Sequence, residues 1–255
     1  MNAGTLTRTK IIQVSDCHVA ADRNASYRGL NADRALTSLL PAIRRWQPDL
    51  ILLTGDVSED GSLPSYGRVS AALDSLGAPV LALPGNHDEV GLMQRYFRNG
   101  PWNGPLFHAA RNWQIILLDS TRPGEVPGYL SESDLHSLRQ RLERSEAQHV
   151  LLAMHHQPVE VGSPWIDKYM LQQPEAFMEW VRAEPRLRVV TWGHVHQSFE
   201  LEDAGVRLLG SPSSVANSLP GRERFTADVS GPACRWFVLQ SDGEFETGLL
   251  RPSGL

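Results

Sequence analysis

The stretch APVLALPGNHDEV, residues 78–90, places three polar side chains directly after an apolar run. The run predicts a buried β-strand, and the Pro-Gly pair predicts a turn that leaves it. Asn86, His87 and Asp88 then follow in a row. Taken alone, they could belong to a surface turn, because Pro-Gly-Asn is ordinary turn chemistry. The rest of the chain decides between a turn and a functional site.

Four other apolar runs end in the same way. The runs KIIQVS, DLILLTG, HVLLAMHH and LRVVTWGH each predict a strand. The polar residues at their ends are Asp16, His18, Asp56, His155, His156, His194 and His196. Together with His87, these ends hold six of the nine histidines of the chain.

Helical patterns separate most of the predicted strands, and this alternation predicts an α/β fold. A helix is expected from Ala32 to Trp46, with Asn31 as its N-cap and with a kink or a break at Pro41. Further helices are expected at about Tyr66–Leu76, over SESDLHSLRQRLER with a capping box from Ser131 to Asp134, and at about Glu175–Ala183.

The last quarter of the chain has a different pattern. The stretches FELEDAGVRLLG and RWFVLQSDGEFETGLL alternate and turn at Asp-Ala-Gly and Asp-Gly, which predicts two β-hairpins. The sequence has no internal repeat and no long linker. A single domain over residues 1–255 is therefore expected.

Composition limits the classes of function. The chain has 255 residues, of which 41% are apolar and 21% charged, as is ordinary for a soluble globular protein. Its net charge of −5 gives no basic surface for nucleic acid or an anionic membrane. Cys17 and Cys234 have no metal-ligand spacing and fit a reducing compartment. The start MNAGTLTRTK has no apolar signal core, and no apolar run reaches about 20 residues. A cytoplasmic protein without membrane or nucleic-acid partners is expected, with a homodimer as one possible assembly.

Loops at the carboxyl ends of strands in α/β sheets converge at one edge, where ligands bind. Each motif alone is weak, since a lone Gly-Asp is usually a turn and a lone histidine is usually structural. Five motifs in matching positions indicate a metal site, and the number of donors suits two ions better than one. Imidazole and carboxylate donors without thiolate favour iron, manganese or zinc. Two divalent ions, two aspartates and a bridging hydroxide leave one positive charge, which complements a phosphodiester monoanion.

The motifs DCH, GD, GNHD, HH and GHVH, in this order, resemble those of the calcineurin-like metallophosphoesterases. The resemblance covers nearly the whole chain. It implies a four-layer αββα sandwich, in which two mixed β-sheets are flanked by helices and a dimetal site lies at one sheet edge.

The resemblance also implies a role for each motif residue. The first metal would be held by Asp16, His18, Asp56 and His196. The second would be held by Asp56, Asn86, His155 and His194, so that Asp56 bridges the ions. His87 would be the catalytic acid. Substrate would contact His18, Asp56, Asn86, His87 and His196.

Some residues near these motifs keep open roles. His155 and His156 point to opposite faces of an extended strand, so one ligand is expected, and the family pattern favours His155. His156 would contact substrate or pack in the core. Asp88 would orient the site by hydrogen bonding or accept within a local turn. The remaining histidines are expected to be ordinary surface or loop residues, namely His108, His136 and His149.

Stretches outside the motifs bear on the substrate. Five stretches resemble the bacterial class III 3′,5′-cyclic-nucleotide phosphodiesterases that act on cyclic AMP: VPGYLSESDLHSLRQRL, GSPWIDKYMLQQPEAF, GHVHQSFEL, LLGSPSSVAN and ACRWFVLQSDGEFET. Asn217-Ser218 departs from this pattern, in which a Gln-Phe-like pair is expected. The subgroup implies that a metal-bound hydroxide opens cyclic AMP to 5′-AMP while His87 protonates the leaving 3′ oxygen.

Two alternatives remain for the function. The first is a broader phosphodiesterase or phosphomonoesterase that acts on another small metabolite, because one dimetal core can serve many leaving groups. The second is a non-catalytic scaffold with the same fold. A scaffold predicts missing ligands, and the motif set in this sequence is complete.

Overall fold

Two β-sheets form the centre of the protein. The structure is a computed structural model that describes residues 8–252. Residues 1–7, part of the segment in which no signal is expected, lie outside the described residues. The strands are β1 (Arg8–Val14), β2 (Ser26–Tyr27), β3 (Leu30–Asn31), β4 (Leu50–Thr54), β5 (Val80–Leu83), β6 (Leu106–Ala110), β7 (Trp113–Leu117), β8 (His149–Met154), β9 (Leu187–Trp192), β10 (Phe199–Asp203), β11 (Val206–Gly210), β12 (Asn217–Ser218), β13 (Ala227–Asp228), β14 (Cys234–Gln240) and β15 (Phe245–Leu250).

Both large sheets are mixed. The first has five strands in the order β15-β14-β1-β4-β5, and the second has six in the order β10-β11-β9-β8-β7-β6. In the five-stranded sheet, β1, β4 and β5 are parallel, and β14 and β15 extend the sheet on one side as antiparallel strands. In the six-stranded sheet, four parallel strands lie between the antiparallel edge strands β10 and β6. Strands β4 and β7 are buried along their whole length, because both faces of each sheet are covered. The two hairpins predicted in the last quarter are confirmed as β10–β11 and β14–β15.

The helices follow the predicted pattern with two differences. They are α1 (Ala32–Trp46), α2 (Leu63–Asp74), α3 (Val90–Met93), α4 (Glu132–Glu143), α5 (Pro164–Asp167) and α6 (Glu175–Ala183). The N-cap at Asn31 and the capping box that opens α4 are confirmed. Helix α2 begins before Tyr66, because Pro64 fits the first helical turn. The predicted break at Pro41 is wrong: Pro41 lies on the exposed face of α1, where water can bond the carbonyl group that it frees.

Three apolar clusters order the layers. Side chains from the facing sides of the two sheets form the middle cluster. It contains Ile11 and Leu52 from the five-stranded sheet and Ile115 and Leu151 from the six-stranded sheet. A second cluster packs α1 and α2 against the outer face of the five-stranded sheet. A third packs α4 and α6 against the outer face of the six-stranded sheet. The expected αββα sandwich is thereby confirmed.

The carboxyl ends of the parallel strands of both sheets lie at one edge of the sandwich. The register pairs Val14 of β1 with Leu53 of β4, and Thr54 of β4 with Leu83 of β5. Nδ1 of His155, just after β8, lies 2.8 Å from the carbonyl oxygen of Thr54 and so joins the two sheets. The loops that follow these strands are therefore neighbours.

The three histidines outside the motifs differ in their surroundings. His149 was expected in a loop or on the surface, but it begins β8 and is buried, because its ring packs beside Trp113. His136 lies on the exposed side of α4, and His108 is partly buried in the edge strand β6. Within residues 8–252, no helix is long and apolar enough to cross a membrane.

Candidate metal centre

The structure brings the predicted site residues together at the shared edge of the two sheets. Each lies in the loop that follows one of five strands, as the sequence predicts. After β1 come Asp16 and His18, after β4 Asp56, after β5 Asn86 and His87, after β8 His155, and after β9 His194 and His196. All of them except Asn86 and His87 are buried.

Asp56 lies between two groups of candidate ligands. On one side, its Oδ2 is 3.7 Å from Nε2 of His18, and on the other its Oδ1 is 3.5 Å from Nε2 of His155. Ligand atoms of Asp16, His18 and His196 lie within 4.8 Å of one another, as do those of Asp16, Asp56 and His155. One carboxylate thus borders both groups, which is the arrangement that two neighbouring metal ions require.

Hydrogen bonds fix the orientation of three imidazole rings. Nδ1 of His18 is 2.7 Å from a carboxylate oxygen of Glu59, and Nδ1 of His196 is 2.8 Å from the carbonyl oxygen of Ala216. His155 is held in the same way by Thr54. A ring that donates through Nδ1 keeps the lone pair of Nε2 free for a metal ion.

Several buried polar atoms at the site have no hydrogen-bond partner among the described residues. They are Oδ1 of Asn86, Nε2 of His155 and Nε2 of His194. Such atoms are rare in folded proteins, because each loses its hydration without a replacement. All three belong to side chains that can ligate a metal ion, so the donor set fits a metal centre.

His156 differs from its neighbour His155. Its Nδ1 lies 2.9 Å from the Ser120 hydroxyl and its Nε2 lies 3.0 Å from the carbonyl oxygen of Val126. Both ring nitrogens are therefore engaged, whereas Nε2 of His155 has no partner among the described residues. His156 is fully buried and packs in the core, which is one of the two roles left open for it.

The electrostatics couple aspartates to histidines. Burial has the largest single effect and opposes the charge on both Asp56 and His155, but the combined attraction of oppositely charged partners outweighs it. The neighbouring histidines, His155 first, hold the pKa of Asp56 well below its usual range, and the neighbouring aspartates, Asp56 first, raise the pKa of His155 to about 9. His194 lacks such a partner, so burial, and then the neighbouring His156, hold its pKa well below the usual range. The site therefore keeps its carboxylates ionised, as metal ligands must be.

The local backbone is strained where the candidate ligands lie. Five of them have φ angles between +42° and +64°, a region that residues other than glycine rarely adopt. They are Asp16, His18, Asp56, His194 and His196. Such outliers concentrate at functional sites, where the surrounding fold holds them in place.

Two glycines of the motifs allow this close approach. A Cβ on Gly85 would collide with the carboxylate of Asp56, and a Cβ on Gly193 would collide with the Ser15 hydroxyl. The Gly-Asn and Gly-His pairs of the sequence therefore have a steric cause.

His87 lies beside the ligand groups. Its backbone N–H donates to Oδ1 of Asp56 at 2.9 Å, and its ring meets the ring of His18 edge-on, with centroids 5.0 Å apart. About a third of its side chain is exposed (36%). His87 can therefore meet both a bound ligand and solvent.

Glu59 is a site residue that the sequence did not single out. One of its carboxylate oxygens lies 2.7 Å from Nδ1 of His18 and 3.4 Å from Nδ1 of His87. It therefore joins a candidate ligand to the candidate acid. It lies in the polar loop after β4, where no sequence pattern distinguishes its carboxylate from that of the neighbouring Asp60.

Asp88 organises the two loops around Asp56. Its carboxylate accepts hydrogen bonds from the backbone N–H groups of Gly85, Val57 and Ser58, and from the hydroxyl of Tyr66. It thus connects the loop after β5 to the loop after β4. The expected orienting role fits these contacts.

The ligand groups form the floor of an open cleft of about 360 Å³. Tyr27, Trp165 and Phe225 line its wall. Basic side chains also line it, including Arg28 and Lys168. The volume and the mixture of apolar and polar walls are those of a small-molecule site.

The fold and the site define a metal-dependent phosphoesterase. Residues 9–198 match the family model described as calcineurin-like phosphoesterase. The chain is 40% identical over 243 residues to the 3′,5′-cyclic adenosine monophosphate phosphodiesterase CpdA of Pseudomonas aeruginosa, covering 94% of this chain and 89% of that protein. It is 31% identical to a 3′,5′-cyclic-nucleotide phosphodiesterase of a Nostoc species, covering 94% and 91%. A dimetal phosphatase from Danio rerio has the same fold, with a TM-score of 0.70, 17% identity and coverage of 96% and 99%.

The chain belongs to the calcineurin-like phosphoesterase family. The resemblance found in the sequence is thereby confirmed. The family implies a site for two metal ions, and the groups of candidate ligands around Asp56 are consistent with such a site.

Proposed function

We propose that this protein hydrolyses 3′,5′-cyclic AMP to 5′-AMP by cleaving the 3′ phosphoester bond. The observation that carries the proposal is the position of Asp56, whose two carboxylate oxygens face the candidate ligands His18 and His155 on opposite sides, beside an open cleft. Paired metal sites of this kind suit displacement at phosphorus. The relatives from Pseudomonas aeruginosa and Nostoc, which are cyclic-nucleotide phosphodiesterases matched over 94% of this chain, support the choice of substrate.

The ligand assignment follows the family resemblance, and the buried ring nitrogens and amide oxygen that lack a hydrogen-bond partner among the described residues support it. Asp16, His18 and His196 would hold one ion together with Asp56. Asn86, His155 and His194 would hold the other, again with Asp56. We propose iron or manganese, with zinc as a further option, because imidazole, carboxylate and amide donors without thiolate suit these ions. When bound, the ions supply the nucleophile and neutralise charge on the phosphate.

The protein groups have separate tasks in the reaction. The chain positions the phosphate at the cleft floor with His18, Asp56, Asn86 and His196. His87 donates a proton from its ring to the leaving 3′ oxygen. Its ring is partly exposed, so solvent can return the proton after each cycle. The contact between its Nδ1 and a carboxylate oxygen of Glu59, 3.4 Å away, supports this role, because it restrains the orientation of the ring.

We further propose that residues 1–255 act as one metallophosphoesterase domain. The middle apolar cluster draws on both sheets, which supports a shared core. The ligand loops also come from both sheets, so neither sheet alone would hold the site.

Turnover of a substrate panel tests the proposal. The protein is purified without metal and reconstituted with iron or manganese. It is then assayed with cyclic AMP, cyclic GMP, 2′,3′-cyclic AMP and bis-p-nitrophenyl phosphate, and the products are identified. We expect 5′-AMP as the product and the highest kcat/KM for cyclic AMP.

Two variants control this experiment. Asp56→Asn should abolish turnover of every substrate and reduce the metal content, because one carboxylate borders both ligand groups. Asp74→Asn, at an exposed carboxylate at the end of α2, should leave both unchanged. Preference for a phosphomonoester or for 2′,3′-cyclic AMP by several orders of magnitude would contradict the proposal and favour a broader phosphoesterase.

A further inference from the structure

One wall of the cleft consists of aromatic side chains that the metal centre does not use. The Trp165 and Phe225 rings lie nearly perpendicular, at 82°, with centroids 5.5 Å apart. The guanidinium group of Arg28 lies over the Phe225 ring, 4.5 Å from its centroid. Tyr27 stacks flat on the candidate ligand His18 at 3.8 Å. The wall therefore begins at the ligand groups and extends outward from them.

The two outer rings, those of Trp165 and Phe225, are both half-buried, but they belong to different surroundings. Trp165 lies in the short helix α5 and packs against the apolar cluster of the six-stranded sheet. Phe225 follows four exposed residues, 221–224, yet its ring turns inward to the cleft. An aromatic side chain that leaves an exposed loop to line a cleft has area available for a ligand.

The distance from the ligand groups to these rings sets the size of the ligand. The centroids of Trp165 and Phe225 each lie 6.3 Å from that of His196. A phosphate at the ligand groups would therefore direct the next part of its molecule toward the two rings. That part should be flat and unsaturated, because flat π systems stack on aromatic side chains.

The charges around the wall are consistent with a nucleotide. The chain as a whole has a net charge of −5, but three basic side chains, Arg28, Lys168 and Arg224, line this cleft away from the candidate ligands, against one acidic side chain, Glu223. Cationic side chains at the mouth attract an anionic ligand toward the floor. Arg28 also contacts the face of the Phe225 ring, which restricts the orientation of that ring.

We propose that Trp165 and Phe225 form the nucleobase site and that they determine the preference for nucleotides over other phosphoesters. This inference rests on the proposed function, in which the substrate is a cyclic nucleotide. The phosphate lies at the ligand groups, the ribose spans the distance from His196 to the two rings, and the base lies against these rings. Tyr27 contacts the sugar side of the cleft through its position on His18.

The test compares two ligands that differ only in the base. Binding of 5′-AMP and of ribose 5-phosphate to the metal-loaded protein is measured by calorimetry. In the unchanged protein, 5′-AMP should bind more tightly. Phe225→Ala and, independently, Trp165→Ala should weaken 5′-AMP by about 5- to 150-fold, the range for one base–aromatic contact. Binding of ribose 5-phosphate should not change.

Two further variants serve as controls. Phe225→Tyr keeps the ring and should retain the tight binding of 5′-AMP. Tyr96→Ala removes an exposed aromatic side chain that does not line the cleft and should alter neither affinity. Circular dichroism and metal content establish that each variant is folded and loaded.

The outcomes separate this inference from the proposed function. Equal weakening of both ligands, or no weakening in either alanine variant, would overturn the nucleobase site even if cyclic AMP is hydrolysed. Loss of the preference for 5′-AMP in both variants would support the nucleobase site even if cyclic AMP proved a poor substrate. In that case the substrate assignment alone would fail.

Discussion

Replacing Glu59 should weaken the metal centre without removing any of its ligands. Its carboxylate lies 2.7 Å from Nδ1 of His18 and 3.4 Å from Nδ1 of His87. A hydrogen bond to a charged group contributes about 1.5–3 kcal/mol. Because the Glu59 side chain is 37% exposed, water can replace part of this contact, and the low end of the range applies. About 1.5 kcal/mol corresponds to about a tenfold change in equilibrium constant.

Glu59→Ala should therefore lower the affinity for the ion held by His18 about tenfold, within the range typical of residues that orient metal ligands. Glu59→Gln keeps an acceptor oxygen without the charge and should lose about half of the free energy, or about threefold in affinity. The assay is competition with a chromogenic chelator on the metal-free protein. Glu202→Ala, at an exposed carboxylate of the edge strand β10, is the matched control.

Two results would refute the reasoning. Unchanged affinity in Glu59→Ala would mean that packing alone, including the stacked Tyr27, orients the His18 ring. Equal losses in the alanine and glutamine variants would mean that the carboxylate charge, rather than the hydrogen bond, carries the whole effect.

Two other predictions concern the reaction and stability. His87→Ala should lower turnover of cyclic AMP by about 10²–10⁴ while both metals remain, because a general acid contributes on that scale; an equal loss with bis-p-nitrophenyl phosphate, whose leaving group hardly needs a proton, would reject the acid role. His149 lies far from the ligand loops, and burial, followed by Arg188, lowers its pKa from the usual 6.5. The unfolded chain therefore binds a proton near pH 6 that the folded chain does not, so the free energy of unfolding should fall as the pH falls below about 6.5. The free energy of unfolding is measured by urea titration at pH 7.5 and at pH 5.5. His149→Gln should reduce the difference between the two values, and an unchanged difference would contradict the assignment.

The positions of the candidate ligands could be predicted because each depends on a local pattern. A buried strand is visible as an apolar run, and the residue after it is fixed by counting. Asp56 follows LILLTG, and Asn86 follows LALPG. The register of the sheets then places these strand ends side by side. No further sequence signal is needed to bring the candidate ligands together.

Other features depend on distances in space and could not be read from the sequence. Glu59 lies in a polar loop where a carboxylate usually faces solvent, and only the approach of His18 and His87 gives it a role. Trp165 and Phe225 are sixty positions apart and meet because α5 and the loop before β13 both fold over the cleft. Pro41 does not break α1, since the cost of a lost hydrogen bond depends on whether water reaches the carbonyl group.

The strained backbone of the site explains why so much of the fold surrounds it. A non-glycine residue in the left-handed region costs about 1–3 kcal/mol, and five candidate ligands are in that region. Hydrogen bonds continue the β1–β4 pairing into the loops: the Asp16 N–H donates to the Gly55 carbonyl, and the His18 N–H donates to the Asp56 carbonyl. These bonds hold the ligands in position before a metal or a substrate arrives. The free energy of folding therefore offsets the cost of ordering the site. The binding free energy of a metal or a substrate does not have to offset this cost.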